Sequence, residues 1–139
     1  IRYKNIKWID GDKFRLKYSK DLGYSKKDRE INSKRISKIC KTYENKKYLV
    51  ICSILSIFRA HQKNNRDLFE KYIQIYIKCD SKKLVLRNNK KIYSKNKFVV
   101  GKDIFFPKPF KSDFIITNTF KPIFLIKAKK IISKINEKI

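Results

Sequence analysis

Apolar and polar positions alternate with distinct periods along the first third of this chain, and each period predicts an element. The apolar run of residues 6–9 leads into Asp10-Gly11-Asp12, which is typical of a short strand ending in a polar turn. Over residues 25–46 apolar side chains return at helical spacing, and Ser25 with Asp28 forms a capping box. The sequence therefore predicts a strand with carboxylates at its C-terminal end, followed by a long helix.

The middle and the end of the chain continue this alternation. Residues 48–55 and 72–79 are almost continuously apolar, as in strands buried on both faces of a parallel sheet. Residues 58–69 between them predict a crossover helix. Three further elements are a short helix at 81–87, a strand at 114–117, and a basic amphipathic helix beside Pro122 over about 121–139. This order predicts a doubly wound α/β fold with a parallel sheet.

The length of the chain favours one domain. A chain of 139 residues with 42% hydrophobic residues can bury a single core, so we expect one domain over residues 1–139. Residues 88–97 are basic and polar without a core-forming pattern, which predicts a mobile segment. The chain contains no Met and opens inside strand-like sequence, so we expect residues upstream of Ile1 to be missing from it.

The charge of the chain is strongly positive. Its 37 Lys and Arg against 12 Asp and Glu give a formal net charge of +25, which raises a polyanionic partner as one interpretation. The Lys residues are scattered, with no arginine-rich arm and no block of like charges. A solvated, Lys-rich surface is the alternative that this scatter favours. We therefore do not expect nucleic acid as the partner, although small anionic substrates fit the same charge.

Cysteine and histidine usage limits the possible chemistry. Cys40, Cys52 and Cys79 are widely spaced, and His61 is the single histidine, so neither a zinc site nor a disulfide framework is predicted. Reduced, buried thiols are the simpler interpretation. No stretch approaches the ~18 apolar residues of a membrane span, and we expect no signal peptide before the first strand. We expect a cytoplasmic enzyme or binding domain without a membrane partner.

Two acidic residues follow the first predicted strand. Asp10 and Asp12 are two apart, so in an extended backbone both side chains point the same way, and Gly11 lets another group approach closely. Paired acids suit proton abstraction from a hydroxyl or water-mediated Mg²⁺ binding. A solvated Asp-Gly-Asp turn is the alternative.

Residues 21–35 alternate in charge and place an aromatic residue just before the helix cap. An exposed loop and helix face is one interpretation. The other is a nucleotide or anion site, with Arg29 and Arg35 as anion partners and Tyr24 stacking on a base.

Several motifs closely resemble the adenylylsulfate kinase family. Residues 10–15 read Asp-Gly-Asp-Lys-Phe-Arg, similar to the family's Asp-Gly-Asp-Asn-x-Arg. Residues 21–32 read Asp-Leu-Gly-Tyr-Ser-Lys-Lys-Asp-Arg-Glu-Ile-Asn, similar to its Asp-Leu-Gly-Phe-Ser-x-x-Asp-Arg-x-Glu-Asn. The resemblance continues at residues 51–59, 87–93, 99–104 and 107–109. It covers nearly all of residues 6–119. The resemblance implies a fold like that of P-loop NTPases. It also implies the family's activity, which is phosphorylation of the 3′-hydroxyl of adenylyl sulfate with ATP.

The resemblance implies a role for each matching residue. Asp10 and Asp12 match the residues that activate the ribose hydroxyl and support Mg²⁺. In the family, the residues that contact adenylyl sulfate correspond to Arg15, Arg29, Asn32 and Ser56 of this chain. Tyr24 corresponds to the aromatic residue that stacks on the adenine. The lid over both nucleotides, about residues 88–106, would include Lys90 and Tyr93, with Arg87 on its ATP-facing side.

The chain also departs from the family pattern. Ile57 stands where the family has Pro after Ser56, and Asn88 and Lys91 replace an Asp and a Gly of the lid motif. Val99 occupies the place of a second stacking Phe, so we expect no complete aromatic sandwich around the base.

A Walker A loop, Gly-x-x-x-x-Gly-Lys-Ser/Thr, is absent from these 139 residues. Their glycines are Gly11, Gly23 and Gly101, and the Gly101-Lys102 pair lacks the other required residues. The family resemblance places that loop and a central strand upstream, so we expect this polypeptide to be poorly stable and inactive alone. A homodimer or a fusion to a sulfurylase is compatible with the resemblance. The alternatives are a related P-loop kinase with another acceptor and a non-catalytic nucleotide-binding or nucleic-acid-binding remnant.

Overall fold

The computed structural model describes residues 5–87 and 97–137. Four strands and five helices follow one another there in an α/β order: β1 Ile6–Asp10, α1 Gly11–Tyr18, α2 Lys26–Asn45, β2 Leu49–Ser53, α3 Arg59–Leu68, β3 Ile75–Lys78, α4 Ser81–Arg87, β4 Phe114–Thr117 and α5 Ile123–Asn136. The predictions for Asn88, Lys90, Lys91 and Tyr93 lie outside the described residues.

The described strands pair in parallel, as the sequence predicted. β1 pairs with β2, so that Trp8 lies opposite Ile51 and Asp10 opposite Ser53, and β3 pairs with β4. The chain contacts divide it into two compact units, and each unit contains one of these two-stranded sheets. The expectation of a single domain over the whole chain stays a prediction.

The first unit comprises the described parts of residues 2–72 together with residues 97–110. Its core forms where α2 packs on one face of β1 and β2. The buried cluster consists of Ile9, Phe14, Ile36 and Cys40. The cluster is extended by partly buried Ile39, Tyr43, Val50 and Phe69. The helical spacing that predicted α2 is thus the spacing of the side chains that it buries.

The start of α2 is fixed by the predicted capping box. The Ser25 side chain accepts a hydrogen bond from the Asp28 backbone N–H at 3.2 Å, and the Asp28 carboxylate accepts one from the Ser25 backbone N–H at 3.2 Å. Two amide donors that the first turn leaves unpaired are therefore satisfied.

The predicted turn after β1 is wrong, because α1 begins there. Asp10 is the N-cap of α1, and its Oδ1 accepts a hydrogen bond from the Lys13 backbone N–H at 3.0 Å. Asp12 lies in the first helical turn, so the two carboxylates are not arranged as in an extended backbone. The close approach expected at Gly11 is present: a Cβ there would lie 3.1 Å from Ile54 Cγ2 and 3.3 Å from the Ser53 carbonyl oxygen.

The prediction that residues 48–55 and 72–79 are strands buried on both faces is also wrong. Their strands are shorter, and Ile51 and Ile77 are 48% and 55% exposed. Each strand pairs with one neighbour within the described residues, so an apolar run here does not correspond to two covered faces. The thiols were likewise predicted to be buried, but only Cys40 is buried, while Cys52 is exposed and Cys79 intermediate.

The second unit comprises the described parts of residues 73–96 and 111–139. The helix α5 packs against β4, as its apolar spacing predicts. At the entry to this sheet the Gln74 backbone N–H donates to Asp113 Oδ2 at 2.7 Å, and the Gln74 side chain donates to Ser112 Oγ at 3.1 Å. Among the described helices, none is long and apolar enough to cross a membrane.

Candidate functional site

Tyr24 lies beside two guanidinium groups. Arg15 Cζ is 4.7 Å from the centre of the Tyr24 ring, and Arg29 Cζ is 5.5 Å from it. Arg15 is held by a 2.6 Å hydrogen bond from Nη1 to the Gly23 carbonyl. Tyr24 itself is exposed, so an aromatic face and two positive charges meet at the surface where α2 begins.

Arg29 connects the loop before α2 to a distant segment. Its Nε donates to the Tyr24 carbonyl at 3.0 Å, and its Nη2 donates to the Phe98 carbonyl at 3.1 Å. Partial burial, followed by the nearby positive charge of Arg15, lowers the pKa of Arg29. Neither arginine forms a salt bridge with the residues that the structure describes. Two close cations without a carboxylate partner are an arrangement that an anion stabilises.

Phe98 is a site residue that the sequence analysis missed. Its φ of 61° is in the left-handed region, and its half-exposed side chain lines a groove of about 400 Å³. Val99 is buried instead, and its N–H donates to Asp103 Oδ2 at 2.9 Å. The Phe98 carbonyl accepts from Arg29, and the expectation that Val99 leaves no complete aromatic sandwich around the base stays a prediction.

The groove beside Phe98 has apolar walls and a charged rim. Ile57, which stands where the resemblance has Pro, is buried in its wall. The remaining lining residues are Lys26, Asp103, Ile104, Phe105 and Pro107. Apolar walls with a few polar groups are typical of a site for a small organic ligand.

Asn32 has a buried acceptor without a protein donor. The residue is 9% exposed, and its Oδ1 makes no hydrogen bond to the described residues. An unsatisfied buried polar atom costs about 1–3 kcal/mol, so its retention is explained if a ligand supplies the donor. Asn32 lies one helical turn after Arg29 on α2, which places it on the same face of that helix as Arg29.

Ser56 is positioned by a buried glutamine. Gln62 Nε2 donates to the Ser56 carbonyl at 3.1 Å and to Ser56 Oγ at 3.3 Å. Gln62 Oε1 accepts from the Phe110 backbone N–H at 2.7 Å. The polar sequence of α3 gave no indication that Gln62 would be buried, because nothing in a polar run marks which amide points inward.

Asp10 and Asp12 bring two carboxylates to the junction of β1 and α1, where the resemblance implies support of Mg²⁺. The capping bond uses Asp10 Oδ1, while Oδ2 makes no hydrogen bond to the described residues. No group of three His, Cys, Asp or Glu side chains suited to a metal was found in the described part of the chain. Two carboxylates fit Mg²⁺, which keeps several waters and takes its other ligands from nucleotide phosphates.

Not every predicted anion partner contributes to this arrangement. Arg35 forms a bidentate pair with Asp21, with both N–O distances at 2.7 Å, so its fork is already occupied by a carboxylate. This pair raises the pKa of Arg35 and lowers that of Asp21. Arg87 ends α4 in the second unit.

Comparisons with known proteins agree on one family. A family profile described as adenylylsulphate kinase matches residues 2–117. A cytidine diphosphoramidate kinase of Campylobacter jejuni is 32% identical, with 97% of this chain and 81% of that protein covered. A probable adenylyl-sulfate kinase of Bacillus subtilis is 35% identical, with 63% of this chain and 45% of that protein covered. The matched region thus spans less than half of the Bacillus protein.

Solved structures give the same fold. The Mycobacterium tuberculosis APS kinase in complex with AMPPNP and APS superposes with a TM-score of 0.83 at 20% identity, covering 95% of this chain and 80% of that one. The parallel α/β order is therefore that of the P-loop NTPase fold, and the family profile and the relatives place the chain among the kinases of that fold. Within that class, the chain belongs to the adenylylsulphate kinase family.

Proposed function

We propose that the site at the start of α2 holds the acceptor of a kinase reaction, in which the γ-phosphoryl group of ATP passes to a sugar hydroxyl of a nucleotide that carries a second acidic group. The 3′-hydroxyl of adenylyl sulfate is the leading acceptor. The observation that supports this proposal is the exposed Tyr24 ring beside Arg15 and Arg29, two cations that lack a carboxylate partner among the described residues. A nucleotide has a planar base that can stack on Tyr24 and an anionic tail that can pair with Arg15 and Arg29.

The residues take distinct roles in this proposal. Arg15 and Arg29 neutralise the acidic tail of the nucleotide. Tyr24 and Phe98 contact its base, and Asn32 Oδ1 accepts a hydrogen bond from a donor group of the same nucleotide. Asp10 takes up the hydroxyl proton, and Asp10 and Asp12 would hold Mg²⁺ through water, where the ion would neutralise phosphate charge. Catalysis then consists mainly of positioning and charge neutralisation, which is the general pattern of phosphoryl transfer.

Cytidine diphosphoramidate is a second candidate acceptor. The relative named for that substrate aligns with 97% of this chain, whereas the Bacillus adenylyl-sulfate kinase aligns with 63%. Ile57 in the groove wall also departs from the Pro that the resemblance places there. Both candidates are nucleotides with an acidic tail, so the charged part of the site serves either, and the base contacts decide between them.

A binding experiment on the purified chain tests the proposal. These 139 residues contain no Walker A sequence, so we expect acceptor binding without ATP turnover by this polypeptide alone. Calorimetry with adenylyl sulfate, cytidine diphosphoramidate, AMP and CMP compares two bases, each with and without the acidic tail. We expect the tailed nucleotide of the correct base to bind at least about tenfold more tightly than its untailed partner.

The control variant Lys63→Ala removes an exposed positive charge from α3, away from Tyr24, and should leave these affinities unchanged. Equal affinity for tailed and untailed nucleotides would overturn the role of the arginine pair. Binding of DNA but of none of the four nucleotides, with an affinity that falls steeply with salt, would favour the nucleic-acid-binding alternative. A homodimer, a sulfurylase fusion and a cytoplasmic location stay predictions.

A further inference from the structure

A second groove in the first unit lies between α2 and α3. Its volume is about 400 Å³, which is large enough for a small ligand. From α2 the lining includes Lys34, Lys38 and Lys41, which are four and three residues apart and therefore share one face of that helix. From α3 it includes His61 and Asn65. None of these five residues belongs to the candidate acceptor site.

The ionisable side chains of this groove are basic. Among the described residues that line it are three lysines and the single histidine, but neither Asp nor Glu. Two of the lysines form ion pairs with carboxylates outside the lining, Lys34 with Glu30 at 2.9 Å and Lys41 with Glu44 at 2.6 Å. Lys38 lies between them and forms no salt bridge within the described part of the chain. Like charges one helical turn apart repel each other, and a bound anion relieves that repulsion.

Asn65 adds neutral hydrogen-bond donors to this positive charge. The Ser37 hydroxyl donates to Asn65 Oδ1 at 3.0 Å, so the acceptor of the amide is already used between the two helices. Asn65 Nδ2 makes no hydrogen bond to the residues that the structure describes, which leaves both of its hydrogens for a ligand. A ligand rich in acceptor oxygens and negative charge, such as a phosphate group, is complementary to such a lining.

We propose that the groove between α2 and α3 binds a small polyanion of the phosphate class, of which pyrophosphate is the simplest example. Lys34 and Lys41 are seven residues apart, or roughly 10 Å along the helix axis, so the row of lysines fits a ligand with more than one negative charge. Lys38 pairs with a phosphate group of this ligand, and Asn65 Nδ2 donates to a phosphate oxygen. The inference concerns a site separate from the candidate acceptor site and does not depend on which nucleotide binds there.

His61 gives a direct measurement of binding, because it is the single histidine of the chain and lines the groove. Its Nδ1 lies 3.0 Å from Ser33 Oγ, and its Nε2 lies 3.8 Å from Glu30 Oε1. A bound anion favours the protonated imidazole, so pyrophosphate should raise the pKa of His61 relative to sodium chloride at the same ionic strength. Proton NMR of the imidazole over a pH series measures this change. A parallel series with ADP shows whether a diphosphate on a nucleoside binds more tightly than the free anion.

Three variants, each checked for folding by circular dichroism, separate this site from general attraction by charge. Lys38→Ala should raise the pyrophosphate concentration that gives half of the change in the His61 signal by about tenfold. Lys63→Ala removes the same charge from α3 outside the lining, and Arg15→Ala removes a cation of the candidate acceptor site, so both should leave that concentration unchanged. An unchanged His61 pKa in the wild type, equal weakening by Lys38→Ala and Lys63→Ala, or loss of the change in folded Arg15→Ala would each overturn the proposal.

Discussion

Arg29 contacts both aromatic residues of the candidate site through their backbone carbonyls. One guanidinium donates to Tyr24 from Nε and to Phe98 from Nη2, although the latter pair is separated by 69 residues in sequence. A planar fork with donors at fixed angles makes both bonds at once, whereas an ammonium group is a compact point charge. The side chain therefore contributes geometry to the site as well as charge.

Replacing Arg29 with Lys keeps the charge and removes the fork. We expect Arg29→Lys to weaken binding of the tailed nucleotide by about 1.5–3 kcal/mol, roughly tenfold to more than a hundredfold, because charge-assisted hydrogen bonds are lost. Calorimetry gives the dissociation constant, and Lys20→Ala serves as the charge control on an exposed position. An unchanged dissociation constant for Arg29→Lys would show that only its charge matters.

Substitution of Asn32 should affect the stability of the fold and the binding of the nucleotide in different ways. Its Oδ1 is buried without a donor among the described residues, so an apolar residue of similar size removes an unsatisfied acceptor. We expect Asn32→Leu to leave the free energy of unfolding unchanged or to raise it, while weakening nucleotide binding by about 1–3 kcal/mol. Chemical denaturation and calorimetry on the same variant measure both quantities. A destabilised variant with normal affinity would assign Asn32 a structural role instead.

His61 makes the stability of the α2–α3 contact depend on pH. Its Nδ1 lies 3.0 Å from Ser33 Oγ, and desolvation by burial is the main cause that lowers its pKa, with Lys34 adding to it and Glu30 opposing it. The unfolded chain therefore binds a proton more readily than the folded chain, so stability is present above the unfolded pKa and falls as the pH drops below it.

We expect the free energy of unfolding to decrease between about pH 7.5 and about pH 5.5 in the wild type, and to decrease less in His61→Gln. The pKa of Glu30 is lowered by its hydrogen bond with Lys34, so that carboxyl titrates below this window. Urea denaturation at several pH values provides the measurement. Parallel pH profiles for the two proteins would contradict the assignment to His61.

At the scale of elements, the first turn of α2 positions the candidate site. Tyr24 and Arg29 flank the capping box formed by Ser25 and Asp28, so fraying of that turn would move both. The capping box was predictable because it depends on two residues three apart. The start of α1 was not, because Asp10-Gly11-Asp12 suits a turn and a helix cap equally well until β2 packs beside Gly11.

Removing the cap should loosen this end of α2. We expect Ser25→Ala to lower the free energy of unfolding by about 1 kcal/mol, since it leaves the Asp28 N–H without its acceptor. Ser133→Ala, at an exposed position within α5, is the matched control and should be neutral or slightly stabilising, because Ala has the higher helix propensity. Equal effects of the two substitutions in chemical denaturation would argue against the cap.

At the scale of the whole molecule, exposed apolar surface coexists with a formal charge of +25. Ile6, Trp8 and Ile51 project from one face of the β1–β2 sheet, and Trp8 is 59% exposed. Exposed apolar patches favour association, whereas a large net charge keeps molecules apart. Salt screens that repulsion over about 10 Å at 0.1 M ionic strength.

We therefore expect self-association of the purified chain to increase with added salt. Ile51→Lys should reduce this increase, because it places a charge in the apolar face, whereas Lys63→Ala should not. Light scattering across a salt series measures the effect. Association that decreases with salt would show that electrostatic contacts, and not this face, join the molecules.

The sequence by itself determined the parallel α/β order, the extent of α2 with its cap, and the family. These features depend on short-range periodicity, on capping pairs a few residues apart, and on motifs that are contiguous in the chain. Only the tertiary structure decided which side chains meet. It places the Phe98 carbonyl against Arg29, pairs Arg35 with Asp21, and buries Gln62 beside Ser56. Such contacts join residues up to 69 positions apart, and no local pattern records them because they depend on how separate elements pack.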